Sequence, residues 1–464
     1  MSKMNWVEGK PFTLRERGDQ IALRATPEIL DTYLDMIIAD KDTDTVLFLG
    51  DNVDDGDYVS HAEFIERLER LKSAGKKVYL TYATHDYCGA GDDENNFHLA
   101  RAYTEDKVEY IPFMRKHELF DYYFDYGARQ ALSVHRESGS YSVMLGDKAR
   151  LVMIIDNGNG RSHCGLFEDG MRWLEGQLSE AEENGEYELI AVHHPILPPF
   201  EIYRQLGEHE LYGGYRKMTE LLLKYNVRAV FTGHTHIQSI KKYEGENCRF
   251  FYDISTSALA NSGGKMRKVT LNTESGLCTV ESIIADSIKG LDSGALSSYE
   301  YMYSLNFPGI WESLLPLGAK DINAFLSEAE GYLPVDKLQK HRALLQLLLR
   351  RADNTTLSRA AKLGRVWKEL TPKEKDRAKS TPLKEVMFVL LRHFYTGNAP
   401  YTPDTPEYRI INGVLKRADR LINTFNIKKF KSIIPPDSSL SESADELLYN
   451  NRTGDDDGIC FSLK

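Results

Sequence analysis

No stretch of this chain is long and apolar enough to span a bilayer, and its first residues lack the charged-then-apolar pattern of a signal segment. Cysteine is scarce. Cys88, Cys164, Cys248, Cys278 and Cys460 are scattered, without a CxxC pair. That leaves no disulfide framework to read and suits a reducing compartment. Basic charge is short as well: 58 Lys and Arg face 69 Asp and Glu, a net charge of −11. A nucleic-acid backbone is therefore not an expected partner, although a bound cation can dominate the field around a small phosphate ester. No internal repeat is visible.

What is present is an ordinary soluble, globular composition, 42% hydrophobic and 27% charged, over 464 residues, which suits two domains or three. Four strand-like apolar runs share one grammar. Val46 to Leu49 leads into Gly50-Asp51-Asn52-Val53-Asp54-Asp55-Gly56. Val78 to Ala83 leads into Thr84-His85-Asp86, Leu189 to Val192 into His193-His194-Pro195, and Val227 to Thr232 into Gly233-His234-Thr235-His236. In an open α/β sheet, ligands bind beyond the carboxyl ends of the strands. Asp and Gly are ordinary turn formers, so one such stretch says little. Four in a chain with 13 His are hard to attribute to chance.

Residues 1–20 read as irregular chain. Ile29, Leu30, Tyr33, Leu34, Ile37 and Ile38 recur at helical spacing, with Pro27 in the first turn, and predict a helix over 26–38. Phe64, Ile65, Leu68 and Leu71 predict another over 61–74, stopped at Gly75. With the runs before Asp51 and His85 this makes a βαβ unit and a parallel pair. Residues 87–139 are less regular: Gly89 to Asp93 is acidic and flexible, and Phe97 to Arg136 reads as a helical insertion or a lid-like excursion. Tyr141–Leu145 and Leu151–Ile155 suggest a hairpin, Met171–Leu178 and 215–225 helices, and Phe250–Ile254, Lys268–Leu271 and Cys278–Ile284 the strands of a closing sheet. From about residue 290 helical stripes take over, through Leu338, Leu345, Leu348 and Leu349, then Leu363, Val366, Trp367 and Leu370, then Val386 to Leu391, then Ile410 to Ile422. The division expected is 1–288 for the strand-bearing domain, 289–435 for an all-α domain and 436–464 for a mobile acidic tail.

Carboxylate and imidazole at strand ends are ligands for first-row metals, with Mn, Fe, Zn and Co all suited. Two such metals about 3.5–4 Å apart clamp an in-line displacement at phosphorus, and a nearby protonated His suits the leaving oxygen. In this order the motifs resemble those of the calcineurin-like metallophosphoesterases: GDxxD at Gly50–Asp54, the H-D pair at His85–Asp86, a His before Pro at His193, and GHxH at Gly233–His236. The likeness runs over roughly residues 45–285. It implies a four-layer α/β/β/α sandwich and hydrolysis of a phosphodiester or nucleotide-like ester by a metal-bound hydroxide. Asp51 would bridge two divalent metals, His193, His234 and the position of Thr84 would serve one, and His236 the other. His85 would act as general acid, oriented by Asp54.

Two departures stand out. Thr84 sits where the family has asparagine and Ala83 where it has glycine, so one metal has a weaker neutral ligand. The D-x-H of the family's first strand is missing; Asp19-Gln20-Ile21 is the nearest candidate, and its third residue is no ligand. Either a first strand is lost, which leaves its neighbour an unpaired edge, or the chain has given up dinuclear chemistry and is an impaired enzyme acting as a binding module. A single metal on Asp51, His193 and His234 is the intermediate case. Localisation follows the same fork: cytoplasmic as the chain stands, secreted if a signal segment was lost upstream. His194 is expected to be a packing or supporting group, His61 a rim or solvated residue, Asp156 and Asn157 a turn or supporting pair, and Thr256 and Ser257 structural. His98, His117, His135, His163 and His209 carry no signal. The substrate-binding residues and oligomeric state are not legible.

Overall fold

The computed structural model describes residues 1–88, 99–156, 164–201, 203, 210–291, 296–305, 307–330, 333, 335–425, 439–449 and 455–464. The acidic stretch 89–93, Asn157, His98, His163 and His209 lie outside them. Chain order begins with α1 (Lys10–Arg17), α2 (Thr26–Ala39), β1 (Thr45–Leu49), α3 (Tyr58–Ser73) and β2 (Lys77–Thr81). Then come β3 (Arg101–Tyr103), β4 (Val108–Tyr110), α4 (Lys116–Tyr122), β5 (Ser133–His135), β6 (Ser140–Leu145), β7 (Ala149–Ile154), α5 (Glu168–Asn184) and β8 (Tyr187–Val192). The strand-bearing part ends with α6 (Tyr215–Lys224), β9 (Ala229–Thr232), β10 (Ser239–Glu244), β11 (Phe250–Ser255), β12 (Lys265–Asn272) and β13 (Leu277–Ile284).

β1 and β2 run parallel, Leu49 opposite Thr81, as the βαβ pattern predicts. The large sheet has seven strands in the order β10-β11-β9-β8-β7-β6-β5, parallel from β11 to β7 and antiparallel at its edges. Leu174, Leu178, Met218 and Leu222 of α5 and α6 cover one face with Ile190 and Val230. On the other face Leu151, Ala191 and Phe231 meet Leu47, Leu49 and Tyr79 of β1–β2 and Cys278 and Val280 of β13. Leu34, Phe64, Leu68 and Leu119 of α2, α3 and α4 close the far side of β1–β2. These are the four layers, helix on sheet on sheet on helix. All the carboxyl ends that carry Asp51, His85, His193 and His234 open at one end of this stack.

The smaller sheet layer is split. Among the described residues β1 has a strand neighbour only in β2, and β12 only in β13. Helix α2 spans the two halves. Its Leu34 packs with Val46 of β1, while Ile29 and Tyr33 pack with Ala285 and Met266 beside β12 and β13. The Tyr33 hydroxyl donates to the Gly264 carbonyl and accepts from the Ala285 amide at 3.1 Å.

Three expectations are corrected. Residues 10–17 are not irregular but form α1, entered through Pro11 and fixed by Phe12, which is fully buried and stacks on Trp6 at 4.1 Å between ring centroids. Its other residues are mostly polar, so no apolar stripe announces it. The 97–136 segment holds the β3–β4 hairpin as well as α4. The expected mobile tail contains a helix, Leu440–Leu448, and strand β14 (Gly458–Ser462), which pairs with β13 and completes a three-stranded sheet. Ile459, Phe461 and Leu463 alternate inward to the inter-sheet core, so the strand-bearing unit does not close at residue 288.

The helical region packs around two centres. Leu314, Leu315, Phe325 and Leu349 form one; Ala361, Val366, Leu370 and Ile410 form the other. The expected stripes are only partly covered: Leu348 and Leu363 are exposed. Helix Leu383–Phe394 lies over the strand-bearing part, where its Leu390 and Phe394 line a cavity of about 450 Å3 with Phe200 and Ile237. Among the described residues no helix is long and apolar enough to cross a membrane.

One buried carboxyl yields a stability prediction. Glu188 lies opposite Arg150 in the β7–β8 ladder, and neither of its carboxyl oxygens has a hydrogen-bond partner. Burial, then the neighbouring Glu182 charge, pushes its pKa to about 8. The unfolded chain ionises this group near 4.5, so its contribution is full below that pH, declines as pH rises toward 8, and is lost above it. Glu188→Gln is expected to remove this slope and to stabilise the fold at pH 8 by roughly 1–3 kcal/mol. Thermal melts of both proteins across that window check it; parallel curves would refute the assignment.

Candidate active site

The loop after β1 is strained in a way the sequence explains. Gly50 has φ +90°, and a Cβ there would lie 2.8 Å from both the Ala83 Cβ and the His193 Nδ1. Asp51, His234 and His236 also adopt positive φ, at 52°, 62° and 60°. Non-glycine residues avoid this region, and such strain gathers at functional sites. Here it turns the three side chains into one crevice.

Asp51 is the hub. Its Oδ1 accepts from the His85 amide at 2.9 Å and from the Thr84 hydroxyl at 3.3 Å. Its Oδ2 lies 3.1 Å from His193 Nε2, which in turn is 3.2 Å from His234 Nδ1. His193 Nδ1 donates to the Leu49 carbonyl at 2.7 Å, which leaves Nε2 with its lone pair. His234 Nε2 faces Glu210 Oε2 at 3.5 Å, so its Nδ1 is likewise the free donor. His193 Nε2 thus lies about 3 Å from both a carboxylate oxygen and a second imidazole nitrogen, and one ligand atom each of His193, His194 and His234 lies within 4.8 Å of the others. His236 lies in the same crevice; its Nδ1 is buried without a hydrogen-bond partner.

The electrostatics agree with that arrangement. Burial opposes ionisation of Asp51, yet the His193 and His85 rings hold its carboxyl well below the usual range. Burial and then the His194 ring push His234 down to about 3, so it is neutral and able to ligate. Burial works against a charge on His85 too, but Asp51, Asp54 and Asp55 outweigh it and raise the pKa.

His85 Nδ1 stands 4.0 Å from Asp54 Oδ1, longer than a hydrogen bond. The nearer partner of that oxygen is Arg15 Nη2, at 3.0 Å. Arg15 also pairs with Asp19, and Arg101 pairs with Asp55 through Nε at 2.8 Å and Nη2 at 2.6 Å. Six of the seven predicted residues (Asp51, Asp54, Thr84, His85, His193 and His234) are thus linked by these contacts, and His236 lies within the electrostatic reach of Asp51. Thr84 spends its hydroxyl on Asp51.

Several further residues support the site, His194 among them as expected. Asp86 accepts from the amides of Ala83, Asn52 and Val53 at 2.7, 2.7 and 3.1 Å, tying the two ligand loops together. His194 is fully buried, paired through Nδ1 with Asp156 at 2.7 Å, and its ring lies against His234. His61 is neither a rim nor a solvated residue. It is buried between the Tyr123 hydroxyl, 2.6 Å away, and the Asp86 carbonyl, 2.8 Å away, and burial lowers its pKa to about 4. Ser257, expected to be structural, is buried and donates its amide to Gln238 Oε1. Arg15 was hidden in a stretch without periodicity, and Glu210 in a loop that no motif marks. Glu210→Gln is expected to weaken divalent-metal affinity about 10–100-fold by loosening His234, as read by calorimetric titration; unchanged affinity would show that Glu210 does not orient the ring.

Residues 24–238 match the family model described as calcineurin-like phosphoesterase. Among solved structures, a dimetal phosphatase from Danio rerio is similar over 56% of this chain and 86% of that one, at 11% identity and a TM-score of 0.40. No protein of curated function matches the chain.

Proposed function

Since residues 24–238 match the calcineurin-like phosphoesterase model, we propose that this chain hydrolyses a small phosphate ester, of the phosphodiester or nucleotide-like class, with a divalent transition metal at Asp51, His193 and His234. The observation that carries this reading is the convergence of Asp51 Oδ2, His193 Nε2 and His234 Nδ1. The donor set suits a first-row metal: one carboxylate and two imidazoles, each braced by a second contact. The metal supplies a Lewis acid for the phosphoryl oxygens and acidifies water. Asp51 holds His193 and, through the His85 amide, the loop that bears the proton donor. His85, whose pKa the surrounding carboxylates raise against the effect of burial, gives its proton to the leaving oxygen. The test is hydrolysis of bis-p-nitrophenyl phosphate with added manganese, alongside elemental analysis of the purified chain. No metal and no turnover would overturn the reading. A weakened enzyme that mainly binds its ligand is the second reading. The 4.0 Å gap between His85 and Asp54 favours it, and turnover near background with tight phosphate binding would be its mark.

A further inference from the structure

A void of about 450 Å3 lies where helix Leu383–Phe394 meets the strand-bearing part. Its wall is chiefly apolar, with Phe200, Ile237, Trp311, Leu390 and Phe394 among its lining residues. The polar groups in the wall are spent within the protein. Gln238 accepts from the Ser257 amide and donates to Ser282 Oγ. Asp456 accepts from the amides of Ile240 and Asn398. Lys241 Nζ stands over the Phe200 ring, 5.6 Å from its centroid.

The void is not slack between loose parts. The Gln238 amide donates to the Tyr395 carbonyl at 2.9 Å, and a Cβ at Gly397 would lie 2.6 Å from the Gln238 carbonyl oxygen. Phe200 and Phe394 meet across the boundary, 5.6 Å apart between ring centroids. Interiors held this closely are packed with few voids larger than a water molecule. An apolar space of this size between a sheet end and a second group of helices has the volume, lining and placement of a ligand pocket.

Its position points to the occupant. Ser239 at the start of β10 pairs with Ser255 of β11, which pairs with Thr232, the last residue of β9. The wall therefore begins two strands from the His234 loop, about 10 Å away at ordinary strand spacing, and at the same end of the sheet. Ile237 directly follows His236, and Phe200 lies on the segment that leaves His193. A substituent of an ester held at Asp51, His193 and His234 has that distance to cross, and the wall offers it apolar contact in place of a charge.

We propose that this void receives an apolar arm of the phosphate ester, an alkyl chain or an aromatic ring, and that the helical region thereby selects the substrate. The proposal rests on the phosphoesterase reading above, and its test separates the two. Methyl, butyl and octyl phosphate are titrated calorimetrically into the manganese-loaded full chain, and hydrolysis of bis-p-nitrophenyl phosphate is followed separately. Affinity is expected to rise about two- to fourfold for each methylene that enters the void, with most of the gain between butyl and octyl. Inorganic phosphate is expected to displace octyl phosphate, since the two share the metal end of the site. Leu390→Trp, which fills the void, is expected to bring octyl affinity down to within a few-fold of butyl. Circular dichroism checks its folding; if it does not fold, Met387→Trp decides, since Met387 also lines the void and is 40% exposed. Equal affinities across the series, with hydrolysis of the nitrophenyl ester, would overturn this proposal and leave the phosphoesterase reading standing. So would octyl binding that phosphate does not displace, or a chain-length gain that persists in the folded tryptophan variant. A length-dependent gain without turnover would keep the pocket and remove the hydrolysis.

Discussion

His193→Ala is expected to lose divalent metal by more than about 100-fold in affinity and to lose hydrolysis with it. The argument is geometric. His193 Nε2 is the atom that meets both other donors, Asp51 Oδ2 at 3.1 Å and His234 Nδ1 at 3.2 Å. Without it, two donors remain on two separate loops, both in left-handed backbone that the missing ion no longer repays. The change also removes the donor to the Leu49 carbonyl at the end of β1, at a cost of about 1–3 kcal/mol. Metal loss and misfolding are separable, because melts in the presence of a chelator compare the two proteins without any contribution from the ion. Elemental analysis after dialysis reads the first effect directly. A variant that retains the wild-type metal content would mean that the ion does not sit on His193.

Much of this centre was legible because its chemistry is written at strand ends. Asp51, His85, His193 and His234 each follow an apolar run, and a strand bounded by such residues delivers them to one edge of a stack. The helices over 26–39 and 58–73 were legible for a related reason: one apolar face each, with Pro27 near the first start. Helix α1 was not, since Phe12 is its one buried apolar residue and a single anchor has no period. Strand β14 was not, because its alternation through Ile459, Phe461 and Leu463 spans too few residues at the end of a polar segment. The first of these omissions bears on the site. α1 brings Arg15 to Asp54, a contact 39 residues apart in sequence that no local pattern encodes. Composition pointed away from a nucleic-acid backbone, and it remains a poor guide to a crevice where two half-buried arginines answer two buried aspartates.

His85→Ala is expected to lower kcat by about 10²–10⁴-fold while leaving metal content unchanged, which separates it from His193→Ala. His85 contributes only its backbone amide to Asp51, and alanine keeps that amide. What is lost is the imidazolium. Burial opposes its charge, but Asp51, Asp54 and Asp55 raise its pKa above the ordinary 6.5, which favours the charged, acidic form. Turnover that depends on this proton holds at low pH and falls as pH rises through the raised value. Asp54→Asn withdraws one of the charges responsible, so the falling limb is expected to move to lower pH. The size of the loss in His85→Ala depends on the leaving group, and this makes the role testable beyond mere loss of activity. A p-nitrophenolate leaves with little help from an acid, whereas an alkoxide needs the proton. The variant is therefore expected to hydrolyse bis-p-nitrophenyl phosphate with a smaller deficit than an alkyl phosphodiester. Equal deficits for the two esters would show that the ring acts on the phosphoryl group or on the fold, and not on the leaving oxygen.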